Sequence, residues 1–199
     1  KKMKSVPFSK QDIINWEKQY PTPFYVYDEA GIRKCVTDLY KAFSWNKGFK
    51  EYFAVKATPN PAIIRVLKEL GCGTDCASVP EIIISQKCGV DGHNIMFSSN
   101  ETTVAEYKAA LDAGAIINLD DITHIEFLES IADLPDTICC RYNPGQFNIT
   151  NDIMGHLYDT KFGMTHEQIL EAFKILKSKG VKHFGIHAML ASCSLIEEY

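Results

Sequence analysis

An α/β fold built on parallel strands is predicted from three observations. Short runs of β-branched and aromatic residues recur along the chain, each followed by a stretch with apolar residues at helical spacing. These strand-like runs recur at roughly 20–45 residues, the separation that crossover helices require. No Gly/Ser linker or compositional break divides the chain. An open doubly wound sheet and a (β/α)8 barrel both fit this rhythm. No GxGxxG or Walker motif follows any strand candidate, which weighs against a nucleotide-binding doubly wound sheet.

The elements follow in order. Ser9, with Asp12 three residues on, starts a helix carrying Ile13, Ile14 and Trp16, and Pro21 and Pro23 end it near Tyr20. Phe24–Asp28 reads as a strand, and residues 29–43 as a helix with Ile32, Cys35, Val36, Leu39 and Tyr40 on one side. Residues 51–57 form the next strand, broken by Thr58-Pro59-Asn60-Pro61, and a helix spans about 61–70. Gly73–Ser78 is a short strand. The helix after it carries Ile82, Ile83 and Ile84 and stops near Gly89. Strands at 95–99, 115–120 and 137–142 alternate with helices at 104–113 and 122–131. A loose Gly/Asn/Asp-rich segment runs from Pro144 to Thr160, Thr165 caps a helix over 166–178, and His183–Leu190 is the last strand. A closed barrel takes about 250 residues. This chain of 199 stops after its seventh strand candidate, so an incomplete barrel is expected.

Bulk properties exclude several function classes. Hydrophobic residues make up 46% and charged residues 23%, an ordinary globular balance. A net charge of −4 with no basic stripe argues against nucleic acid, and no lysine/arginine cluster argues for a membrane surface. No 18-residue apolar stretch is present, and the basic start lacks the apolar run of a signal peptide. Seven cysteines sit mostly inside apolar patterns. Cys72 and Cys76 are separated by three residues with no second pair, so reduced buried thiols are expected rather than a metal site.

The most informative residue is Lys56, at the end of the apolar run Tyr52-Phe53-Ala54-Val55. A cation at the carboxyl end of a buried strand is costly unless it has a partner or a chemical role. Desolvation favours the neutral amine, which can attack a carbonyl to form a Schiff base. Other polar residues end the other strands: Asp75 and Ser78 with Glu81 shortly after, Ser98 to Asn100, Asp120 and Asp121, Arg141 and Asn143, and His187 with Ser192. In a barrel all of these converge on one face. Taken singly, each reads as a cap or loop residue, Asp121 as an N-cap above all.

YFAVKATPNP (residues 52–61) and GCGTDCASVPE (71–81), followed by INLDD, CCRYNPG, DTKFGM and GIHAMLAS in that order, resemble the fold-type III pyridoxal-phosphate decarboxylases. RYNPG and TKFGM are most similar to diaminopimelate decarboxylases. The resemblance covers residues 22–192. It implies a (β/α)8 barrel of the alanine racemase-like type, residues 1–199 being one barrel domain whose remainder and whose C-terminal β-domain lie beyond this chain. It implies pyridoxal 5'-phosphate as cofactor and Lys56 as the Schiff-base lysine. Ala54, Asp75, Arg141, His187, Met189 and Ser192 are implied beside the cofactor, Ser192 on its phosphate, with Glu81 behind them. It further implies a cytoplasmic homodimer of lysine biosynthesis acting on a small amino acid, meso-diaminopimelate. Another basic amino acid, carboxynorspermidine, racemisation, or cofactor binding without turnover are the alternatives.

The sequence departs from the family pattern at one place. The usual HxHxGS is here His187-Ala188-Met189-Leu190-Ala191-Ser192, so Met189 stands where a histidine stacks on the cofactor ring. A thioether packs on an aromatic face with ~0.3–1.5 kcal/mol, but it neither donates a hydrogen bond nor carries charge.

Overall fold

In a computed structural model, residues 5–145, 150–151, 155–156 and 162–189 are described. The chain divides into two compact units, Lys1–Phe49 and Lys50–Tyr199.

The first unit holds two helices. Helix α1 (Lys10–Glu17) opens with the expected capping box, Ser9 and Asp12 satisfying each other's backbone N–H groups. Helix α2 (Glu29–Ala42) is capped by Asp28, whose carboxylate accepts from Gly31 N at 3.0 Å. The strand expected at Phe24–Asp28 is absent; the segment is irregular, with Tyr25 89% exposed. Strand propensity reflects fit to a pleated, paired surface. Without a ladder partner among the described residues, aromatic content alone makes no strand.

The second unit carries six parallel strands: β1 (Tyr52–Ala54), β2 (Gly73–Cys76), β3 (Ile95–Phe97), β4 (Ile116–Leu119), β5 (Thr137–Arg141) and, after the short pair β6 (Thr150–Asn151) and β7 (Gly155–His156), β8 (His183–His187). Their order in the sheet is β1-β2-β3-β4-β5-β8, and every pairing is parallel. A doubly wound sheet reverses its strand order at a switch point. This one never does, so it is a barrel wall. It stays open, with β1 and β8 at its two edges among the described residues. The antiparallel pair β6–β7 lies inside the stretch that reads as loose from sequence, where two-residue strands leave no periodicity to see.

Helices α3 (Pro61–Glu69), α4 (Val79–Lys87), α5 (Val104–Asp112), α6 (His124–Glu129) and α7 (His166–Ser178) fill the crossovers. Pro61 sits in the first turn of α3 behind the Asn60 cap, where its missing N–H costs nothing. Thr103 with Glu106, and Thr165 with Gln168, close capping boxes on α5 and α7. The core lies between sheet and helices: Ile64, Ile82, Phe97, Tyr107, Ile117, Leu119, Leu128, Ile138 and Leu176 are all essentially sealed from solvent. Full burial of side chains of this size is worth about 1.5–3 kcal/mol each. Of the cysteines, Cys72, Cys76, Cys88 and Cys140 are buried free thiols, whereas Cys35 is exposed.

Gly73 shows how tightly the bottom of the sheet is packed. A Cβ there would overlap the Asn94 carbonyl oxygen and the Tyr52 ring. Backbone cannot yield as a flexible side chain does, so Gly73→Ala is expected to destabilise by roughly 1–3 kcal/mol in urea unfolding with unchanged m-value. A neutral effect would show that β1 and β3 separate more easily than this packing implies.

Candidate active site at the carboxyl ends of the strands

The ladder register fixes what meets at the strand ends. Ala54 lies opposite Asp75, Cys76 opposite Phe97, Leu119 opposite Cys140, and Arg141 opposite His187. Strand β1 stops at Ala54, earlier than its sequence suggests. Val55–Ala57 form a 3-10 turn, with Val55 driven fully into the core. Lys56 therefore sits on the turn and is exposed, a correction to the buried cation expected from sequence. The apolar run continues inward through Val55, and the turn swings the next side chain to the open end.

Asp75 is half-buried on β2. Burial pushes its carboxyl up from the usual range; a hydrogen bond from Ser98 and the charge of Lys56 pull it down, while Glu81 pushes it up. Its Oδ1 is buried and has no hydrogen-bond partner among the described residues. It is a strand residue and not a helix cap. Glu81 acts locally. Its carboxylate accepts from Ala77 N and from Ser78 Oγ, each at 3.0 Å, and so shapes the turn into α4.

Arg141 and His187 are adjacent across β5–β8, and Tyr142 N donates to the His187 carbonyl at 2.7 Å. Burial holds the His187 imidazole below its usual value, helped by the Arg141 guanidinium and Lys56 and opposed by Asp120. Its Nδ1 is likewise buried without a partner among the described residues. The influence of Lys56 on both Asp75 and His187 brings together three elements far apart in the chain. Met189 is exposed just beyond β8, its Sδ 4.0 Å from Arg141 Nη2. Ser192 lies outside the described residues.

From sequence, Asp120 and Asn100 are two of the polar residues at the strand ends, with no partner assigned to either. Arg141 Nη1 donates to Asp120 Oδ1 and to Asn100 Oδ1, both at 3.1 Å. Asp121, by contrast, accepts from Thr123 N and Oγ1 in the turn before α6. Asp120 and Asp121 are indistinguishable as letters; only the path of the chain as it leaves β4 buries one and leaves the other in the loop. Burial pushes the Cys140 thiol up to about 12 and raises those of Cys76 and Cys139, which disfavours their thiolates.

A parallel β/α wall with an amine, an acid and a guanidinium at its carboxyl end is a wall of the barrel class, and that end is the candidate site. Residues 30–198 match the pyridoxal-dependent decarboxylases in their pyridoxal-binding domain, and the chain belongs to this family. Pyridoxal 5'-phosphate is the cofactor of that domain. Protein TabA of Pseudomonas amygdali pv. tabaci is 36% identical over 88% of this chain and 41% of its own length. Diaminopimelate decarboxylase of Methanothermobacter thermautotrophicus is 34% identical over 91% of this chain and 43% of its own. A crystal structure of Helicobacter pylori diaminopimelate decarboxylase complexed with L-lysine superposes with a TM-score of 0.74 at 27% identity, covering 90% of this chain and 45% of that one. The chain thus spans less than half the length of these relatives.

Asp75 also yields a stability prediction. Its folded-state pKa is raised, so ionising it costs folding free energy that is absent below its unfolded value near 3.8 and is present in full above the folded value. Asp75→Asn is therefore expected to raise the thermal midpoint of the cofactor-free protein at pH 7. The gap should close as pH falls toward 3.8. A lower midpoint at pH 7 would mean that the carboxylate stabilises the fold.

Proposed function

We propose that this chain is the cofactor-binding barrel part of a longer pyridoxal-phosphate-dependent amino-acid decarboxylase, converting meso-diaminopimelate to L-lysine. The observation that carries the reading is the convergence of Lys56, Asp75, Arg141 and His187 at one end of the sheet, in a chain of this family. Two buried polar atoms without a partner among the described residues, Asp75 Oδ1 and His187 Nδ1, fit a ligand that brings its own hydrogen-bonding groups.

Pyridoxal phosphate held there would supply an electron sink for decarboxylation at a substrate α-carbon. Lys56 supplies the tethering amine. When free, its Nζ would hold a proton within reach of the substrate α-carbon. Asp75 keeps a negative charge beside Lys56. Ala54, directly across the ladder from Asp75, presents only a methyl group there. Met189 would hold the ring by dispersion, and Ser192, by its motif position, would hold the phosphate. In this reading the whole enzyme is a cytoplasmic homodimer. Among the described residues no helix is long and apolar enough to cross a membrane.

A second reading keeps the chemistry and changes the substrate to another amino acid. It is favoured by the 36% identity to a relative not named as a diaminopimelate decarboxylase and by Met189 in the stacking position.

Full-length protein mixed with pyridoxal phosphate is expected to show the visible absorbance of lysine-bound cofactor and to release CO2 from meso-diaminopimelate. Lys56→Ala should abolish both. Absorbance unchanged in Lys56→Ala sinks the tethering role. CO2 from lysine, ornithine or arginine but not from meso-diaminopimelate selects the second reading. Absorbance without CO2 from any amino acid leaves a cofactor-binding protein. Met189→Ala should weaken cofactor affinity by about 2- to 10-fold, as loss of a sulfur–aromatic contact predicts. Equal affinity would remove Met189 from the ring.

A further inference from the structure

We propose that Asp120 is a positioning residue whose carboxylate aims the Arg141 guanidinium at the site and balances its charge there. Asp120 follows directly on β4 and is 4% exposed; Arg141 ends β5 and is 9% exposed. A buried ion pair of this kind is costly to assemble, and removing one partner leaves an uncompensated buried charge. Both oxygens of Asp120 are used: Oδ1 accepts from Arg141 Nη1 at 3.1 Å, and Oδ2 accepts from Gly163 N at 3.3 Å.

The Gly163 bond does more than satisfy a lone pair. It docks the segment before α7 onto the sheet, where Phe162 lies 5.2 Å from the Arg141 guanidinium carbon. Asn143 fastens the same segment, its Nδ2 donating to the Phe162 carbonyl at 2.9 Å. Met164 N donates to the Arg141 carbonyl at 2.7 Å. The guanidinium is therefore held on one edge by Asp120 and Asn100 and on its face by Phe162. Its Nη2 is left pointing to Met189 at the site mouth.

Charge is the second half of the argument. Three charged groups act on His187 from three elements: Arg141 across the ladder, Asp120 after β4 and Lys56 after β1. Two are cations, so Asp120 alone offsets them. Its role in turnover rests on the decarboxylase reading. There, a guanidinium that Asp120 no longer aims or balances would lose the placement on which the reacting geometry depends.

The test uses full-length protein, with and without cofactor. Without cofactor, the titration midpoint of His187 is followed by NMR on histidine-labelled protein. Asp120→Asn should lower that midpoint, because two cations then act unopposed. Asp120→Glu should return it toward wild type, and Asn100→Ala, which removes an uncharged partner of the same Nη1, should leave it in place. With cofactor, Asp120→Asn should lower kcat for amino-acid decarboxylation about tenfold to hundredfold without raising KM. An Asp120→Asn midpoint equal to wild type, or an Asn100→Ala shift as large as that of Asp120→Asn, overturns the assignment. If Asp120→Asn does not fold, Asp120→Glu decides: a wild-type midpoint with reduced kcat supports the role, and a lowered midpoint overturns it. If wild type neither holds cofactor nor releases CO2, the decarboxylase reading falls, and the His187 midpoints still decide whether Asp120 balances Arg141.

Discussion

Parallel pairing of each strand with the next strand of the sheet is the constraint on which the second unit depends. A right-handed crossover returns every strand in the same direction, so every β-to-α turn opens at the same end of the sheet. Residues as distant in sequence as Lys56, Asp75, Asp120, Arg141 and His187 are thereby delivered to one face without any contact that singles them out. The register does the fine placement. Because Ala54 pairs with Asp75, a residue two positions beyond Ala54 reaches the mouth beside that carboxylate. Because Arg141 pairs with His187, the guanidinium and the imidazole share an edge of the sheet.

A second constraint follows from burying charge at that face. Arg141 and Asp120 are the most deeply placed opposite charges of the described site, with side chains only 11% and 5% exposed. The other ion pairs, such as Lys182–Asp136 and Arg33–Glu29, are solvent-facing and worth little each. The buried pair differs because the low local dielectric strengthens both its attraction and the penalty for breaking it. It ties the ends of β4 and β5 to the turn at Gly163, so a packing decision and an electrostatic one are made by the same two side chains.

The alternation of strands and helices was legible from hydrophobic period alone, because buried parallel strands and amphipathic helices have different repeats. Ser9, Thr165 and Pro61 marked helix starts through chemistry that is local to a few residues. What could not be read was non-local. Phe24–Tyr27 carries strand letters but finds no ladder among the described residues. Val55 continues an apolar run yet belongs to a turn, and that single change of backbone moves Lys56 from the interior to the surface. The candidate residues Lys56, Asp75 and Arg141 were visible as motif positions. The partners that hold them, Asp120, Asn100 and Ser98, are common polar letters whose role exists only once the strands are paired.

The unpaired atoms at this face state the relation between stability and function most directly. A buried polar atom without a partner costs about 1–3 kcal/mol, and a fold selected for stability alone would pair it or replace it. Asp75 Oδ1 and His187 Nδ1 remain unpartnered among the described residues of the strand-end face, one acceptor and one group that can accept or donate by tautomer. The surrounding charges act on both groups. Lys56 and Ser98 favour the carboxylate against its burial, while Arg141 adds to the burial that keeps the imidazole neutral. A site organised this way carries its electrostatics before any ligand arrives, and the cost of that preorganisation is met by the apolar core beneath it.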